Sequence, residues 1–513
     1  MSRALLRPIV CALLATLLQG CATLPSLEGR AESSAPTDTA DTPLGRAVQP
    51  LAQPHPGRSG VFPLPDGRDA FAARALLARA ATRTLDVQYY IWRDDLSGSL
   101  LMRALYEAAE RGVRVRLLLD DNNTRGLDAL LAALDAHPSI EVRLFNPFAN
   151  RRWRALGYLT DFSRLNRRMH TKSFTADNQV SIVGGRNVGD EYFDAGGELS
   201  FADLDVMAAG PVVREVSESF DRYWASASSY PAATLLPEAD SAASDALRAR
   251  GTSVERDPRA QAYVQALART PFVHDLLSGQ LPFEWVAVRT LSDDPAKALG
   301  MAPESTLLLR RLRAATGTPT RELTLVSPYF VPTAAGVDAL REFAQGGVKV
   351  TVLTNSLEAT DVIAVHAGYA KRRRDLLEAG VELYELKRPG GARQEGDRGL
   401  TGSAAASLHA KTFSADRSRV FVGSFNFDPR SARLNTEMGF LIESASLAEA
   451  VAGALGRGLR ERTYLVRLDA SGRMQWVERS GDGERVHDDE PGASLLKRLG
   501  LGLLSVLPIE WML

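Results

Sequence analysis

Apolar and polar positions recur twice along the chain in one order. Residues 85–91 (LDVQYYI) form a strand-like apolar run, and residues 97–110 show the spacing of an amphipathic helix. Gly112 ends this helix, and residues 113–119 (VRVRLLL) form a second strand-like run. The pattern predicts a β-α-β unit.

A second segment repeats this order. Residues 323–326 read as a strand, residues 334–345 as a helix that ends at Gly346 and Gly347, and residues 348–353 (VKVTVL) as the next strand. A β-α-β unit implies a parallel or mixed sheet with a crossover helix. The sequence therefore predicts an α/β fold with two similar halves, each a mixed sheet flanked by helices.

A motif rich in polar residues follows each unit. Residues 170–187 read HTKSFTADNQVSIVGGRN, and residues 409–426 read HAKTFSADRSRVFVGSFN. His, Lys, Asp, Gly and Asn recur at the same offsets, and the motif starts lie 409 − 170 = 239 residues apart. The repeat is the signature of a duplicated structural unit.

The residue types in the motif suit a phosphoryl group. Side chains alternate along a strand, so the histidine and the lysine two residues later point to one face. An imidazole can attack phosphorus or donate a proton, an ammonium group stabilises oxygen charge, and an amide can donate to a phosphate oxygen. The candidates are His170, Lys172, Asn187, His409, Lys411 and Asn426.

Duplication makes this interpretation much stronger, because a lone histidine on a strand is more often structural. Two histidines on one phosphate allow one to be neutral and nucleophilic while the other is protonated and acts as the acid. We therefore expect one shared site at the junction of the halves. The imidazoles of His170 and His409 should lie roughly 5–7 Å apart, with phosphorus between them.

The doubled H-x-K-x4-D-x6-G-(G/S)-x-N pattern resembles the signature of the phospholipase D superfamily. With the flanking repeat, the resemblance covers roughly residues 63–442. Within that superfamily the chain is similar to bacterial cardiolipin synthases of the type called cardiolipin synthase C. The supporting stretches are VQYYIW at 87–92, LLLDDNNT at 117–124 and TNSLEATDVIAVHAGY at 354–369.

The resemblance implies a pseudo-dimer of phospholipase D-like halves and a covalent phosphohistidine mechanism without metal or cofactor. It implies that His170 is the nucleophile and His409 the general acid and base. Lys172, Lys411, Asn187 and Asn426 would hold the phosphate oxygens.

Carboxylates that orient the histidines are expected just after each motif. Glu437 matches the family position behind the second motif and is expected to orient His170. In the first half Asp203 and Asp205 are both available, and Asp205 is favoured. The motif aspartates Asp177 and Asp416 are interpreted as structural, and Ser424 as supporting the motif, with Gly185 at its place in the first copy.

Several functions share this chemistry. The favoured one is phosphatidyl transfer that forms cardiolipin from phosphatidylglycerol and a second phospholipid, for which phosphatidylethanolamine is a candidate. Hydrolysis of phospholipids by water is the alternative; a phosphodiesterase nuclease is less favoured, and a non-enzymatic lipid-binding role least. A formal net charge of -1 gives nucleic-acid binding no support. His366 is interpreted either as a contact to the lipid headgroup or as a helix-capping or buried residue.

The N-terminus has the pattern of a targeting segment. Arg3 and Arg7 precede an apolar run at 9–18, which ends in Leu-Gln-Gly-Cys at Cys21. This resembles the lipobox of bacterial lipoproteins, with Cys21 as the lipid attachment site. An uncleaved anchor or a plain secretory signal are the alternatives. Cys11 and Cys21 are the only cysteines in the 513 residues, so the body needs no disulfide.

These patterns predict a domain order. It runs from a lipoprotein-type signal peptide (1–21) through a disordered tether (22–60), a first half (61–231), a linking helical region (232–309) and a second half (310–465) to a C-terminal extension (466–513). The apolar end at 495–513 is compatible with an interfacial helix or with one packed on the core. The expected location is the cell envelope, membrane-anchored, with a periplasmic catalytic body.

Lipidation of Cys21 can be tested directly. Cells that express the full chain should incorporate a fatty-acid probe into it, and a Cys21→Ser variant should not, because the thiol that accepts the lipid is gone. A Cys21→Ser chain that still carries the probe would refute the lipobox interpretation. Cys11→Ser is the matched control and should label normally.

Overall fold

The fold is described from a computed structural model. The structure describes residues 23–195, 201–388, 407–453, 461–480, 483–492, 497, 500, 501, 504 and 510–513. The predicted signal peptide, with Cys21, lies outside the described residues.

Each half is a mixed sheet with helices on its faces. The strands of the first half are β1 (Ser59–Leu64), β2 (Thr84–Tyr89), β3 (Arg114–Asp120), β4 (Ile140–Phe145), β5 (Ser173–Ala176), β6 (Val180–Gly184), β7 (Phe201–Ala202), β8 (Asp205–Ala209) and β9 (Ser229–Pro231). Its helices are α1 (Pro43–Ala52), α2 (Gly67–Ala80), α3 (Leu96–Glu110), α4 (Asp128–Asp135), α5 (Arg154–Thr160), α6 (Phe162–Leu165), α7 (Asp190–Phe193) and α8 (Val212–Trp224).

Three further helices follow: α9 (Ser241–Arg256), α10 (Pro258–Leu267) and α11 (Pro271–Leu277). The remaining strands are β10 (Glu284–Ser292), β11 (Glu322–Val326), β12 (Lys349–Asn355), β13 (Glu382–Leu386), β14 (Ser407–Leu408), β15 (Thr412–Ala415), β16 (Arg419–Gly423), β17 (Met438–Glu443), β18 (Thr463–Leu468), β19 (Met474–Ser480) and β20 (Gly483–His487). The remaining helices are α12 (Leu308–Thr316), α13 (Thr333–Gln345), α14 (Ile363–Ala370), α15 (Arg373–Glu378), α16 (Pro429–Arg433) and α17 (Ala445–Gly453).

The two halves repeat one topology. In the first, β2, β3 and β4 are parallel neighbours, and β5, β6 and β8 continue the sheet antiparallel on the other side of β2. In the second, β11, β12 and β13 are parallel, and β15, β16 and β17 continue beside β11. The predicted β-α-β units and the duplicated α/β architecture are therefore confirmed.

Strand β10 joins the two sheets. Its first residues pair antiparallel with β1, and its remainder pairs with β17. The region 232–309 was predicted to be helical; only its first part is, and the prediction missed this strand. Val183, Val206, Val420 and Phe440 pack in one buried cluster between the halves. The junction is thus held by hydrogen bonds and by apolar burial together.

The disordered tether predicted for 22–60 is wrong over most of its length. The Arg30 guanidinium donates to the carbonyl oxygens of Ser226 and Ser229, both at 2.7 Å, near the C-terminal end of α8. Buried Trp224 donates to Ser33 Oγ at 3.0 Å. Helix α1 and strand β1 follow. Composition suggested disorder, but long-range contacts order the segment.

The boundary placed at residue 465 is also wrong. Strand β18 spans it and pairs with β13, and β19 and β20 extend the same sheet. Most of the apolar end at 495–513 lies outside the described residues. Within the described part of the chain, no helix has the length and apolar character needed to cross a bilayer.

The motif aspartates close a turn in each half. Asp177 accepts hydrogen bonds from the backbone N–H groups of Thr82, Arg83 and Thr84. Asp416 likewise accepts hydrogen bonds from the backbone N–H groups of residues 320–322. Both adopt a left-handed backbone, with φ of 50° and 53°. Their contacts are structural, as predicted, and tie the motif hairpin to the start of the β-α-β unit.

Candidate active site

The backbone around each motif histidine is paired with the opposite half. His170 N donates to Thr436 O at 2.8 Å, and His409 N donates to Ala202 O at 2.9 Å. Short strands β7 and β14, one from each half, pair in parallel next to His409. Each motif is therefore fixed in position by the half to which it does not belong.

A carboxylate from the second half holds His170. The Glu437 Oε2 atom lies 2.8 Å from His170 Nδ1 and accepts a hydrogen bond from Ser424 Oγ at 2.5 Å. Glu437 is completely buried and His170 is 7% exposed. Glu437 therefore lies against His170, as expected from the family resemblance. The Ser424 hydroxyl holds the Glu437 carboxylate in place.

A carboxylate from the first half holds His409, and it is Asp203. Its Oδ2 atom lies 2.6 Å from His409 Nδ1. The favoured assignment of Asp205 is wrong. The Asp205 carboxylate is buried 2.8 Å from the Arg74 guanidinium and 3.5 Å from that of Arg186. It neutralises buried cations and does not contact the histidine.

The sheet register explains this correction. Gly423 pairs with Gly439, two residues beyond Glu437, while Gly184 pairs with Asp205, two residues beyond Asp203. Asp203 is thus the counterpart of Glu437. The sequence alone does not show this equivalence, because Glu437 lies 437 − 423 = 14 residues after Gly423 whereas Asp203 lies 203 − 184 = 19 residues after Gly184.

Sterics explain why the first motif has a glycine where the second has Ser424. A Cβ atom on Gly185 would lie 2.2 Å from Asp203 Oδ1. In the second half Ser424 occupies the equivalent position and donates to Glu437. The missing hydroxyl therefore makes room for the shorter aspartate, which receives the Leu204 backbone N–H at 2.8 Å instead.

The motif lysines complete the buried site. Lys172 Nζ donates to His170 O at 2.6 Å, and Lys411 Nζ donates to His409 O at 2.5 Å. Burial lowers the pKa of Lys172 well below its usual value and that of Lys411 to about 8. A desolvated ammonium group interacts strongly with an anion that enters the site.

Electrostatics favour neutral imidazoles in the ligand-free site. Burial, aided by Lys172, lowers the pKa of His170 to about 4 despite Glu437. Burial and Lys411 lower the pKa of His409 to about 3. Although burial opposes ionisation of the carboxylates, His170 and Lys172 lower the pKa of Glu437.

For Asp203, burial is likewise outweighed, and His409 with Lys411 lowers its pKa to about 2. An ionised carboxylate at Nδ1 selects the tautomer with the proton on that nitrogen, which assigns chemistry to Nε2.

The asparagines differ from one another. Asn187 accepts from the Ile91 backbone N–H at 3.2 Å and donates to the Tyr192 hydroxyl at 3.1 Å. The buried Asn426 Oδ1 atom has no hydrogen-bond partner among the described residues. Asn187 is engaged in supporting the site, and the Asn426 Oδ1 atom can accept a hydrogen bond from a donor group of a ligand.

Two tyrosines that the sequence analysis missed enclose the imidazoles. The Tyr90 ring lies edge-on to His170 with 5.0 Å between ring centroids, and the Tyr192 ring lies edge-on to His409 at 5.1 Å. Tyr90 comes directly after β2 and Tyr192 lies in α7, so the repeated pattern gave no signal for them as a pair. They shield the histidines from water.

His366 is buried away from this chemistry. Its Nε2 atom lies 3.0 Å from the Arg373 guanidinium and 3.3 Å from Glu490 Oε1. Among the described residues, no three His, Cys, Asp or Glu side chains are grouped so that they could hold a metal ion.

Comparison with known proteins identifies the family. Residues 74–224 and 308–457 match the family model described as "Cardiolipin synthase, PLD-like domain". These two matches cover both motifs and most of both sheets. The chain belongs to this family, and its fold is a pair of phospholipase D-like halves.

Individual relatives agree with this assignment. The chain is 52% identical over 474 residues to cardiolipin synthase C of Escherichia coli K12, which covers 92% of this chain and 99% of that protein. It is 29% identical to cardiolipin synthase A of Pseudomonas entomophila, over 75% of this chain and 65% of that protein. The crystal structure of phosphatidylserine synthase from Haemophilus influenzae shares the fold, with a TM-score of 0.57, 13% identity and coverage of 92% and 100%.

The corrected carboxylate assignment predicts different effects for two neighbouring substitutions. Asp203→Asn should lower kcat by about 10- to 100-fold with little change in Tm, because it removes the charge that orients His409. Asp205→Asn should instead lower the free energy of unfolding by about 3–5 kcal/mol, because it leaves Arg74 buried without its carboxylate.

Lipid turnover and thermal denaturation measured on both variants separate these outcomes. Asp203 would lose its assignment if Asp205→Asn abolished turnover at unchanged Tm while Asp203→Asn stayed active.

Proposed function

We propose that the chain transfers a phosphatidyl group from one phospholipid to another and so forms cardiolipin. The observation that carries the proposal is the pair of buried imidazoles, His170 and His409, each with a carboxylate on Nδ1 and a lysine beside it. The 52% identity to a cardiolipin synthase over nearly the full chain supports the same reaction.

In the first step, His170 Nε2 attacks the phosphorus of a phosphatidylglycerol. The bond from phosphorus to the headgroup glycerol oxygen breaks, and the oxygen takes a proton from His409 Nε2. The phosphodiester is an anion, so its arrival favours protonation of one of the two imidazoles. Lys172 and Lys411 stabilise the charge on the phosphoryl oxygens.

In the second step, a hydroxyl of the acceptor phospholipid attacks phosphorus. His409 Nε2 takes the hydroxyl proton, and the bond between phosphorus and His170 breaks. Glu437 and Asp203 stabilise whichever imidazole is cationic, so each half of the reaction uses the same four side chains. The assignment of His170 as nucleophile follows the order of residues in the family, because the two imidazoles have similar surroundings.

Exclusion of water supports transfer over hydrolysis. The His409 side chain is 12% exposed, and both imidazoles face tyrosine rings. A lipid hydroxyl therefore competes with little water at phosphorus. We also propose that the protein acts at the cell envelope, anchored through Cys21, with phosphatidylglycerol and phosphatidylethanolamine as its lipids.

Labelled lipids test the reaction. Purified full chain should convert labelled phosphatidylglycerol to cardiolipin, with or without phosphatidylethanolamine, as seen by separating the lipids. His170→Ala should form neither cardiolipin nor phosphatidic acid, because no attacking group remains. Phosphatidic acid as the main product of the unsubstituted chain would show hydrolysis instead and would contradict the proposal.

The role of His409 predicts a trapped intermediate. His409→Ala should slow turnover of phosphatidylglycerol by about 100- to 10,000-fold, because the leaving alkoxide is unprotonated and the acceptor has no base. A phosphatidyl ester of an acidic phenol needs no proton donor, so it should give a burst and leave label on His170. Peptide mapping of the labelled protein locates it. Label on His409 in a His170→Ala chain would reverse the two roles.

A further inference from the structure

We propose that Trp153, Leu156, Leu159 and Phe162, here called the apolar rim, insert into the surface of a phospholipid bilayer beside the active site. This inference rests on the proposed function, because it identifies how a water-insoluble substrate reaches the histidines. The exposed fractions of these side chains are 59%, 51%, 82% and 43%. They lie within ten residues, on and next to α5 and α6.

Such a concentration of exposed apolar side chains marks an interaction surface. Single exposed apolar residues occur elsewhere on the described surface and need no explanation. Four in one short segment, including a tryptophan, form a contiguous target for apolar contact. Tryptophan is also the residue that favours the boundary between acyl chains and headgroups.

The charge around the apolar rim indicates which kind of surface it contacts. Residues 148–168 contain six arginines and one aspartate, in a chain of net charge -1. Arg151 and Arg154 are balanced by Asp121 and Asp128. Among the described residues, neither exposed Arg152 nor Arg167 has a carboxylate at salt-bridge distance, although the Arg167 guanidinium donates to the carbonyl oxygens of Lys297 and Arg433. Apolar side chains bordered by unbalanced cations match a bilayer that contains anionic phospholipid.

Hydrogen bonds on its buried side hold the segment that carries the apolar rim. Arg151 donates to both oxygens of the buried Asp121 carboxylate at 2.9 Å, and Arg154 donates to Asp121 O at 2.8 Å. A Cβ atom on Gly157 would lie 2.8 Å from Leu165 Cδ1, so the glycine allows α5 to pack closely on the turn that follows. These hydrogen bonds hold the inner side of the segment, so the apolar side chains lie on its exposed side.

Contacts connect the apolar rim to the site. Tyr158, within α5, donates to Asn122 Oδ1 at 2.9 Å, and the neighbouring Asn123 donates to the Tyr90 carbonyl oxygen at 3.3 Å. The Tyr90 ring packs against His170. The apolar rim is therefore connected to the His170 side of the site through Tyr158, the turn at 122–123 and Tyr90.

One further exposed apolar residue extends the same side. Arg430 donates to Asn166 O at 2.9 Å and its backbone N–H donates to Leu513 O at 2.8 Å, which brings the C-terminal residues close to the end of α6. Trp511, two residues earlier, is 59% exposed. The C-terminal aromatic residue can thus share the bilayer contact.

An environment-sensitive fluorophore tests the insertion. Full chain with Leu159→Cys, labelled with a nitrobenzoxadiazole iodoacetamide, should show a blue shift and quenching by lipid-borne nitroxide on vesicles of phosphatidylglycerol and phosphatidylcholine. Val264→Cys, on α10 and 48% exposed, is the matched control and should show neither change. The signal of the unsubstituted chain, which carries Cys11 and Cys21, is subtracted. A label at 159 that stays in water on these vesicles would overturn the proposal.

Kinetics provide a second readout. Leu156→Gln with Leu159→Gln should raise the apparent KM for phosphatidylglycerol in vesicles by about tenfold or more. It should leave turnover of a monomeric short-chain phosphatidylglycerol unchanged, and Val264→Gln should alter neither. Equal losses on both substrates would refute a membrane role.

The two proposals fail in different ways. Insertion of the label without cardiolipin formation would reject the proposed function and keep the apolar rim. Cardiolipin formation with the label in water would do the opposite.

Discussion

Each motif histidine is held by a carboxylate that belongs to the other half of the chain. Glu437 lies on His170 and Asp203 on His409, with contacts of 2.8 and 2.6 Å. All four side chains are buried or nearly so, and a buried charge that loses its partner costs several kcal/mol. The halves therefore cannot separate or rotate without leaving ionised carboxylates in an apolar interior.

The rest of the fold maintains that reciprocal contact. Strand β10 makes the two sheets continuous, and the valine-rich cluster between them excludes water. Backbone hydrogen bonds from His170 to Thr436 and from His409 to Ala202 fix the motifs directly against the opposite half. A contact of one hydrogen-bond length needs this rigidity, because an orienting carboxylate displaced by an ångström no longer selects the imidazole tautomer.

The duplicated architecture and most of the site followed from the sequence because both depend on local patterns. Strand alternation, helix periodicity and repeated offsets placed His170, Lys172, His409 and Lys411 together, and the resemblance to the phospholipase D superfamily added Glu437. Asp203 was missed because the choice between two aspartates depends on the register between β6 and β8 and on the space above Gly185, both set by strand pairing. The N-terminal segment was misjudged for a related reason. Arg30 and Ser33 bond to residues almost 200 positions away, and composition does not report such contacts.

Both motifs serve a single shared site, and a bound oxyanion tests this arrangement. In a crystal structure of the full chain with vanadate, one vanadium should lie between the Nε2 atoms of His170 and His409, with the oxygens on Lys172 and Lys411. Nδ1 of each histidine should remain on Glu437 or Asp203. Two oxyanions in separate pockets, each contacting one histidine, would rule out a shared site.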